Sequence, residues 1–169
     1  MNKNLECSLA DWNVPADCEA VVSLLQSYAL HPMGGESALS DYAAKNLPSA
    51  MAATPGAFSV IGWHMQDDND RTPVALANCF TTLSTFACKP LINIHDLYID
   101  ELARGQQAGQ AMLGFVEQLA KERGCCKVTL EVLTGNLVAI KAYERFGFTN
   151  YTLDDTHGHA VFMHKNIGA

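Results

Sequence analysis

The strongest constraint on the fold is a change in the period of the apolar residues along the chain. Helical periodicity, with apolar side chains three and four residues apart, covers residues 17–30, 37–53, 107–123 and 136–146. Strand-like segments cover residues 5–10, 58–63, 74–80, 91–99, 128–132 and 160–163. Two early helices, a meander of strands and then alternating strands and helices are typical of a mixed α/β domain with one main sheet.

Local signals refine the boundaries of these elements. Ser37 is a plausible N-cap of the second helix, and Pro48 predicts a break or kink inside it. The polar stretch 66–71 lies between two strand-like segments, so we expect it to be a hairpin loop.

Composition restricts the class of protein. The 169 residues are 49% apolar and 17% charged, which is typical of one globular domain. The net charge of −7 argues against a surface that coats nucleic acid. Neither a secretory signal nor an apolar stretch long enough to span a bilayer is visible, so we expect a cytoplasmic protein without membrane contact.

Metal binding is not expected. The six cysteines have no metal-ligand spacing, and in a reducing compartment they would act as small apolar residues. His157 and His159 could share one face of a strand, but no third ligand lies near them in the sequence.

The most informative segment is the strand at 91–99 with the loop that follows it. Arg104, Gly105 and Gly109 lie in a loop that opens the helix at 107–123. A helix N-terminus presents free backbone N–H groups and the positive end of the dipole, which favours a phosphate or pyrophosphate. An ordinary strand-to-helix turn would also contain glycine, and the phosphate loops of nucleotide hydrolases and dinucleotide enzymes are absent.

Asn136 and Tyr143 form a second constellation. Their spacing of seven residues, with Ile140 between them, places all three on one face of a helix. The tyrosine hydroxyl and the asparagine amide could contact a ligand there. By spacing alone, a half-buried Tyr143 that packs on the sheet and an Asn136 that caps the helix explain the pattern better than ligand contact does.

Taken in order, these segments resemble the GNAT family of acyl-CoA-dependent N-acyltransferases. The resemblance covers about residues 74–165 and rests on His95-Asp96-Leu97-Tyr98-Ile99, Arg104-Gly105-Gln106-Gln107-Ala108-Gly109, Asn136, Tyr143 and Arg145-Phe146-Gly147-Phe148. It is most similar to the branch that acetylates small-molecule amines. The implied α/β fold is a mixed, mostly antiparallel sheet of about seven strands, splayed between strands 4 and 5, with about four helices in a single domain over residues 1–169.

The resemblance also implies a site for acetyl-CoA. The cofactor arm would bind the backbone of the segment Leu97, Tyr98 and Ile99, with Asn136 reaching the arm. The pyrophosphate would lie on the amides of Arg104, Gly105, Gln106, Gln107, Ala108 and Gly109. Tyr143 would act as general acid to the departing thiolate. His95 occupies a position where relatives often carry a glutamate that manages the amine proton, and strand alternation places Asp96 on the opposite face from His95.

One residue departs from the family pattern and keeps a second function open. Gln107 stands where the middle glycine of the loop is usual, and a positive φ there would cost about 1 kcal/mol. Because Arg104, Gly105 and Gly109 remain, we still expect an N-acetyltransferase that acts on a primary amine of a small molecule or peptide. A homodimer is compatible with the resemblance. The alternative is a catalytically weak acyl-CoA-binding regulatory module; a nucleotide-binding domain is a third hypothesis.

Overall fold

The computed structural model describes residues 5–66, 70–152, 156 and 160–167. The chain divides into two compact units, residues 1–130 and 131–169. The strands are β1 (Leu5–Leu9), β2 (Ala57–Met65), β3 (Arg71–Ser84), β4 (Lys89–Ile99) and β5 (Val128–Leu130). The helices are α1 (Pro15–Leu30), α2 (Asp41–Ala53), α3 (Ala108–Glu122) and α4 (Leu137–Phe146), and Glu101–Ala103 forms a 3₁₀ turn.

The first unit is built on a mixed sheet with the strands in sequence order. β1 to β4 pair antiparallel, and β5 pairs parallel with β4. The mixed α/β architecture with four α-helices is confirmed, but the described residues form five strands and not about seven. The strand expected at residues 160–163 is absent from the described structure, where Val161, Phe162 and Met163 are exposed and pair with no other strand.

The second helix begins later than the sequence predicts. Its N-cap is Ser40, whose hydroxyl accepts a hydrogen bond from the Ala43 N–H at 3.1 Å. Ser37 instead donates its N–H to the carbonyl of Ala29 at 3.1 Å, so it belongs to the turn that follows α1. Pro48 lies inside α2, which continues to Ala53, so the expected break does not occur. Residues 67–69 of the expected hairpin loop lie outside the described residues.

Helices cover both faces of the sheet. On the α1 face, Val21 and Leu24 pack against the sheet, where they join Ile61, Trp63, Leu76 and Tyr98 in one buried cluster. On the α3 face, Ala108 packs with Val74 and Ala103, next to the half-buried Leu5 and Ile99. Because β2 and β3 are buried on both sides, their sequences are continuously apolar over several residues. None of the described helices is both long enough and apolar enough to cross a membrane.

The register between β3 and β4 contains an irregularity at the centre of the sheet. Cys79 lies opposite Ile94, whereas Asn78 lies opposite Asp96, so His95 is an extra residue in β4. Such an insertion is a β-bulge, which shifts the alternation of the strand by one residue. The side chains and the backbone N–H groups of β4 after His95 therefore point to the side opposite the one they would face in a regular strand.

Gly62 permits close contact between β2 and α3, which generates a stability prediction. A Cβ atom at Gly62 would lie 2.9 Å from the Ala75 Cβ and 3.0 Å from the Met112 Sδ. We expect Gly62→Ala to lower the free energy of unfolding by about 1–3 kcal/mol because the core is overpacked. Gly114→Ala is the control: a Cβ there meets nothing within 4 Å, and alanine in a helix should stabilise by up to about 1 kcal/mol. Urea unfolding of both variants measures this, and equal effects would contradict the packing explanation.

Candidate functional site

The bulge turns two backbone amides of β4 toward the edge of the strand that faces away from β3. Before the bulge, the Ile92 N–H donates to the Lys127 carbonyl at 3.2 Å, on the β5 side. After it, the Asp100 N–H donates to the Val74 carbonyl at 2.8 Å, on the β3 side. In a regular strand, residues an even number of positions apart direct their N–H groups to the same side. Ile92 and Asp100 are eight positions apart but direct theirs to opposite sides, so the direction of the amides has reversed between them. Alternation back from Asp100 then directs the N–H groups of Leu97 and Ile99 away from β3.

The edge of β4 that carries these amides is not covered by the strand ladder. The pairing of β4 with β5 spans only Ile92–Val128, Asn93–Thr129 and Ile94–Leu130. Within the part of the chain that the structure describes, the ladder on this side thus ends at Ile94, five residues before β4 ends. The backbone from His95 to Ile99 is bonded to β3 on one side and presents donors and acceptors on the other.

Arg104 and the start of α3 lie beside the same edge. The Arg104 Nε donates to the Ile99 carbonyl at 3.1 Å, which holds the guanidinium at the end of β4. α3 begins at Ala108, has no acidic residue in its first turn, and receives no capping hydrogen bond from the Gln107 side chain. The first-turn N–H groups of a helix have no partners within it, so this terminus is suited to an anion.

The conformation of Gln107 confirms that its position requires a positive φ. Gln107 has φ 63° and ψ 14°, in the left-handed region, and Gly105 has φ 75°. A side chain at such a φ costs about 1–2 kcal/mol, which glycine avoids. The loop nevertheless keeps its turn: the Gln106 side chain donates to the Leu102 carbonyl at 2.8 Å, and the Ala111 N–H donates to the Gln107 carbonyl at 3.0 Å.

The prediction that His95 and Asp96 lie on opposite faces is wrong, because the bulge interrupts the alternation between them. The His95 ring packs edge-to-face on Phe80 with centroids 5.6 Å apart, and the Asp96 carboxylate accepts from the Asn78 side chain at 3.0 Å. Asn78 and Phe80 are two residues apart on β3 and therefore share a face. His95 is exposed and Asp96 half-buried, both on the α1 face.

A row of polar side chains runs along this face, and sequence reasoning did not identify it. The Ser59 hydroxyl donates to the Asn78 Oδ1 at 2.5 Å, and the Asn78 Nδ2 donates to the Asp96 Oδ2 at 3.0 Å. Ser59 and Asn78 are 1% and 2% exposed, so this row begins in the core and ends at a partly accessible carboxylate. An asparagine in the middle of an otherwise apolar strand was the available signal.

Burial determines the ionisation of groups around this row. Tyr28 of α1 stacks near Tyr98 with ring centroids 5.9 Å apart, and burial, then the charge of Asp96, raises its pKa. The phenol is therefore neutral at neutral pH. Burial raises the pKa of the Cys79 thiol to about 12, so this cysteine is no nucleophile at neutral pH.

Among the described residues, no three His, Cys, Asp or Glu side chains are placed to hold a metal ion, and His157 and His159 lie outside them.

The second unit contains Asn136 and Tyr143 on α4. Asn136 is the N-cap, and its Oδ1 accepts from the Ala139 N–H at 3.2 Å. Because the cap uses the oxygen, the Nδ2 donors are the atoms that a ligand would engage. Tyr143 is half-buried one turn before the helix ends, and its ring lies 5.9 Å from that of Phe148. Asn136 can therefore cap the helix with its oxygen and contact a ligand with its nitrogen at the same time.

Fold and site together define an α/β protein whose sheet edge and helix N-terminus offer backbone donors to an extended anionic ligand. Comparison with known proteins identifies the group to which it belongs. Residues 25–148 match the acetyltransferase (GNAT) family. The chain therefore belongs to the GNAT acetyltransferase family, as the sequence resemblance predicts.

One curated relative and several solved structures are similar to this chain. A segment of 94 residues is 32% identical to streptothricin acetyltransferase of Streptomyces lavendulae, covering 53% of this chain and 50% of the relative. The match thus spans about half the length of that curated relative. Two solved structures share the fold. The first is a transcriptional regulator from Bacillus halodurans C-125, with a TM-score of 0.72 and 19% identity over 95% of this chain and 99% of that one. The second is AAC(6')-Iy in complex with the bisubstrate analogue CoA-S-monomethyl-acetylneamine, with a TM-score of 0.71 and 12% identity over 98% of this chain and 100% of that one.

The strain at Gln107 leads to a prediction about the loop. Gln107→Gly should raise the free energy of unfolding by about 0.5–1 kcal/mol, because relief of the positive φ outweighs the greater flexibility of glycine in the unfolded chain. Gln107→Ala keeps the Cβ and should leave stability close to that of the natural chain. Urea denaturation of the three proteins measures the difference, and equal stability of the glycine and alanine variants would exclude backbone strain as the cause.

Proposed function

We propose that this protein is an acetyl-CoA-dependent N-acetyltransferase that transfers an acetyl group to a primary amine of a small molecule or peptide. The observation that carries the proposal is the reversal of β4 at its bulge, which directs the Leu97 and Ile99 amides away from β3, along the edge beyond the β5 ladder and beside Arg104. Membership of the GNAT family, whose members take the acetyl group from acetyl-CoA, supports it.

The elements of the first unit suggest how acetyl-CoA is held. The extended arm of the cofactor would pair with the free edge of β4 at Leu97 to Ile99, in the manner of an added strand. Within the loop from Arg104 to Gly109, the pyrophosphate would bind the amides of Gly105, Gln107, Ala108 and Gly109 at the start of α3, because the N–H groups of Arg104 and Gln106 already donate to the carbonyl oxygens of Glu101 and Ala103. Arg104 supports both parts, since its Nε already holds the Ile99 carbonyl and its side chain is 42% exposed. In the second unit, Asn136 would supply an amide donor to the arm.

Acetyl transfer requires a neutral amine, a polarised thioester and a proton for the leaving thiolate. The amine nitrogen attacks the thioester carbonyl carbon, whose oxygen a β4 amide such as that of Leu97 would polarise. The carbon–sulfur bond then breaks, and the Tyr143 hydroxyl donates its proton to the CoA thiolate. The amine loses one proton to His95 or to water, so the products are the acetamide and free CoA. The roles of Tyr143 and His95 follow the family resemblance.

The acceptor is proposed only as a class. The curated relative is named a streptothricin acetyltransferase, and one of the solved structures contains an acetylated neamine linked to CoA. Both names describe cationic small molecules with amino groups. A protein of net charge −7 attracts such cations, so a small polyamine-like acceptor is the first choice and a peptide amine the second.

Calorimetry with acetyl-CoA tests the binding half of the proposal. We expect saturable binding by the natural chain and affinity about tenfold weaker for Arg104→Ala, because a charge-assisted hydrogen bond to phosphate is lost. Lys121→Ala removes an exposed cation near the opposite end of α3 and serves as the control. No heat at millimolar acetyl-CoA would contradict the proposal, and equal losses for both variants would contradict the site.

Tyr143 tests the chemical half. Tyr143→Phe should lower kcat by about 10–1000-fold, because the thiolate then leaves without its general acid, and acetyl-CoA affinity should change little. Tyr42→Phe, which changes a tyrosine that is 79% exposed on α2, is the matched control. Release of free CoA in the presence of an amine measures turnover. An unchanged kcat in Tyr143→Phe would remove this residue from the mechanism.

A regulatory module that binds acyl-CoA without fast turnover is the second candidate. Gln107 favours it, because a side chain in the left-handed region adds bulk in the loop where pyrophosphate would bind. The two functions are separated by a panel of amines at saturating acetyl-CoA: an enzyme releases free CoA with at least one of them, whereas the module binds acetyl-CoA and releases none.

A further inference from the structure

The α1 face of the sheet holds a carboxylate whose orientation is fixed from inside the core. Asp96 follows the inserted His95 and directly precedes Leu97, whose amide faces the uncovered edge of β4. The carboxylate therefore lies one residue from a backbone donor of the proposed thioester site. A regular strand would have directed this side chain to the opposite face.

The hydrogen bonds of Asn78 have only one consistent orientation. An ionised carboxylate accepts and never donates, so the Asn78 amide must present Nδ2 to Asp96 and Oδ1 to Ser59. Both partners of Asn78 are thus satisfied, and the amide is locked between a buried hydroxyl and the carboxylate. This row uses Oδ2 of Asp96, and no other hydrogen bond to the carboxylate is found among the described residues.

We propose that Asp96, oriented by the buried Asn78 side chain, receives the protonated amine of the acceptor, and that Asn78 is its positioning residue. This inference rests on the proposed acetyl transfer and concerns the acceptor side of that same site. The ammonium group donates a hydrogen bond to Oδ1, which anchors the acceptor beside the Leu97 amide, and it releases one proton to water before the neutral nitrogen attacks the thioester.

The surroundings of Asp96 fit a cation. Tyr28 and Tyr98 present aromatic rings on the same face, and neutral aromatic rings attract ammonium groups. The phenol of Tyr28 lies close enough for the charge of Asp96 to act on it, which places the two side chains in one neighbourhood. His95 is exposed on this face and packs on Phe80, whereas the neighbouring Asp96 is half-buried. Carboxylate and aromatic groups together select a positively charged acceptor over a neutral one.

The test compares Michaelis constants for the two substrates. Four acceptors are used with saturating acetyl-CoA: streptothricin, neamine, spermidine and N-acetyl-lysine amide. For each acceptor that the natural chain acetylates, Asp96→Asn should raise the acceptor KM at least tenfold and leave the acetyl-CoA KM within twofold. Glu6→Gln removes an equal charge from the exposed surface of β1, at the other edge of the sheet, and should leave both constants unchanged.

The positioning role of Asn78 needs its own variant. Asn78→Leu alone would leave the buried Ser59 hydroxyl without a partner, so it is combined with Ser59→Ala, which removes both buried polar groups together. The double variant keeps Asp96 and should raise the acceptor KM at least threefold with the acetyl-CoA KM unchanged. A purely structural role would instead lower the melting temperature and leave the acceptor KM as it was.

The outcomes distinguish failure of the proposed function from failure of the inference alone. If the natural chain releases no CoA with any of the four acceptors, the proposed function fails for this substrate class and the inference fails with it. If it turns over an acceptor whose KM is the same in Asp96→Asn, only the inference is overturned.

The inference is also overturned if His95→Ala raises the acceptor KM more than Asp96→Asn does, because the amine then binds the imidazole. The Asp96→Asn result is decisive even where the double variant does not fold, since asparagine preserves the shape of this side chain.

Discussion

One inserted residue in β4 determines the arrangement of the whole candidate site. Because His95 has no separate partner on β3, the strand reverses the direction of its amides between Ile92 and Asp100. Without the insertion, the Leu97 and Ile99 amides would bond to β3, and the N–H groups of Asp96 and Tyr98 would face the edge instead. The same insertion brings Asp96 onto the α1 face beside Asn78. A bulge near the middle of the sheet thus sets both the direction of the edge amides and the position of the Asp96 side chain.

The surrounding packing makes this irregularity tolerable. α1 covers one face of the sheet and α3 the other, and β3 is buried on both sides next to the bulge. Asn78 is polar in this apolar setting, but both ends of its amide are hydrogen-bonded, so its burial leaves no unsatisfied group. The left-handed Gln107 adds a strain of about 1–2 kcal/mol, which is small enough for a domain with an ordinary net stability of about 5–15 kcal/mol. Gln107 and Asn78 lie on the segments that face the proposed ligands, whereas the left-handed Glu36 and Cys88 and the buried Asp17 and Ser84 lie elsewhere.

The sequence predicted those parts of the fold that depend on local periodicity. The helices α1, α3 and α4 and the strands β2 to β4 follow from apolar spacing, and the left-handed requirement at position 107 follows from the loop pattern. The faces of His95 and Asp96 could not be predicted, because a bulge depends on how β4 pairs with β3 and leaves no periodic signal in β4 itself. Ser37 was predicted as the N-cap because serine caps helices well, but its N–H donates to the carbonyl of Ala29, a tertiary contact without a local signal, and Ser40 is the cap. Residues 160–163 account for one of the missing strands, because they have a strand-like composition but no partner strand in the described structure, and the expected number of about seven came from the resemblance.

The net charge of −7 and a polyanionic cofactor are reconciled by the short range of the interactions at the site. Charges beyond about 8 Å are largely screened at physiological ionic strength, so the local donors decide where the anion is held, and the net charge acts only on the encounter with charged substrates. At the β4 edge those donors are the backbone amides, Arg104 and a helix N-terminus without acidic residues in its first turn. On the α1 face, one residue away along the chain, the local group is the Asp96 carboxylate. A module that only bound acyl-CoA would require the first set alone. The second set is a carboxylate held by a buried asparagine, and the proposed acceptor role explains it, whereas a binding module does not need it. The joint presence of both therefore favours the enzyme over the binding module, and the strained Gln107 affects only the first set.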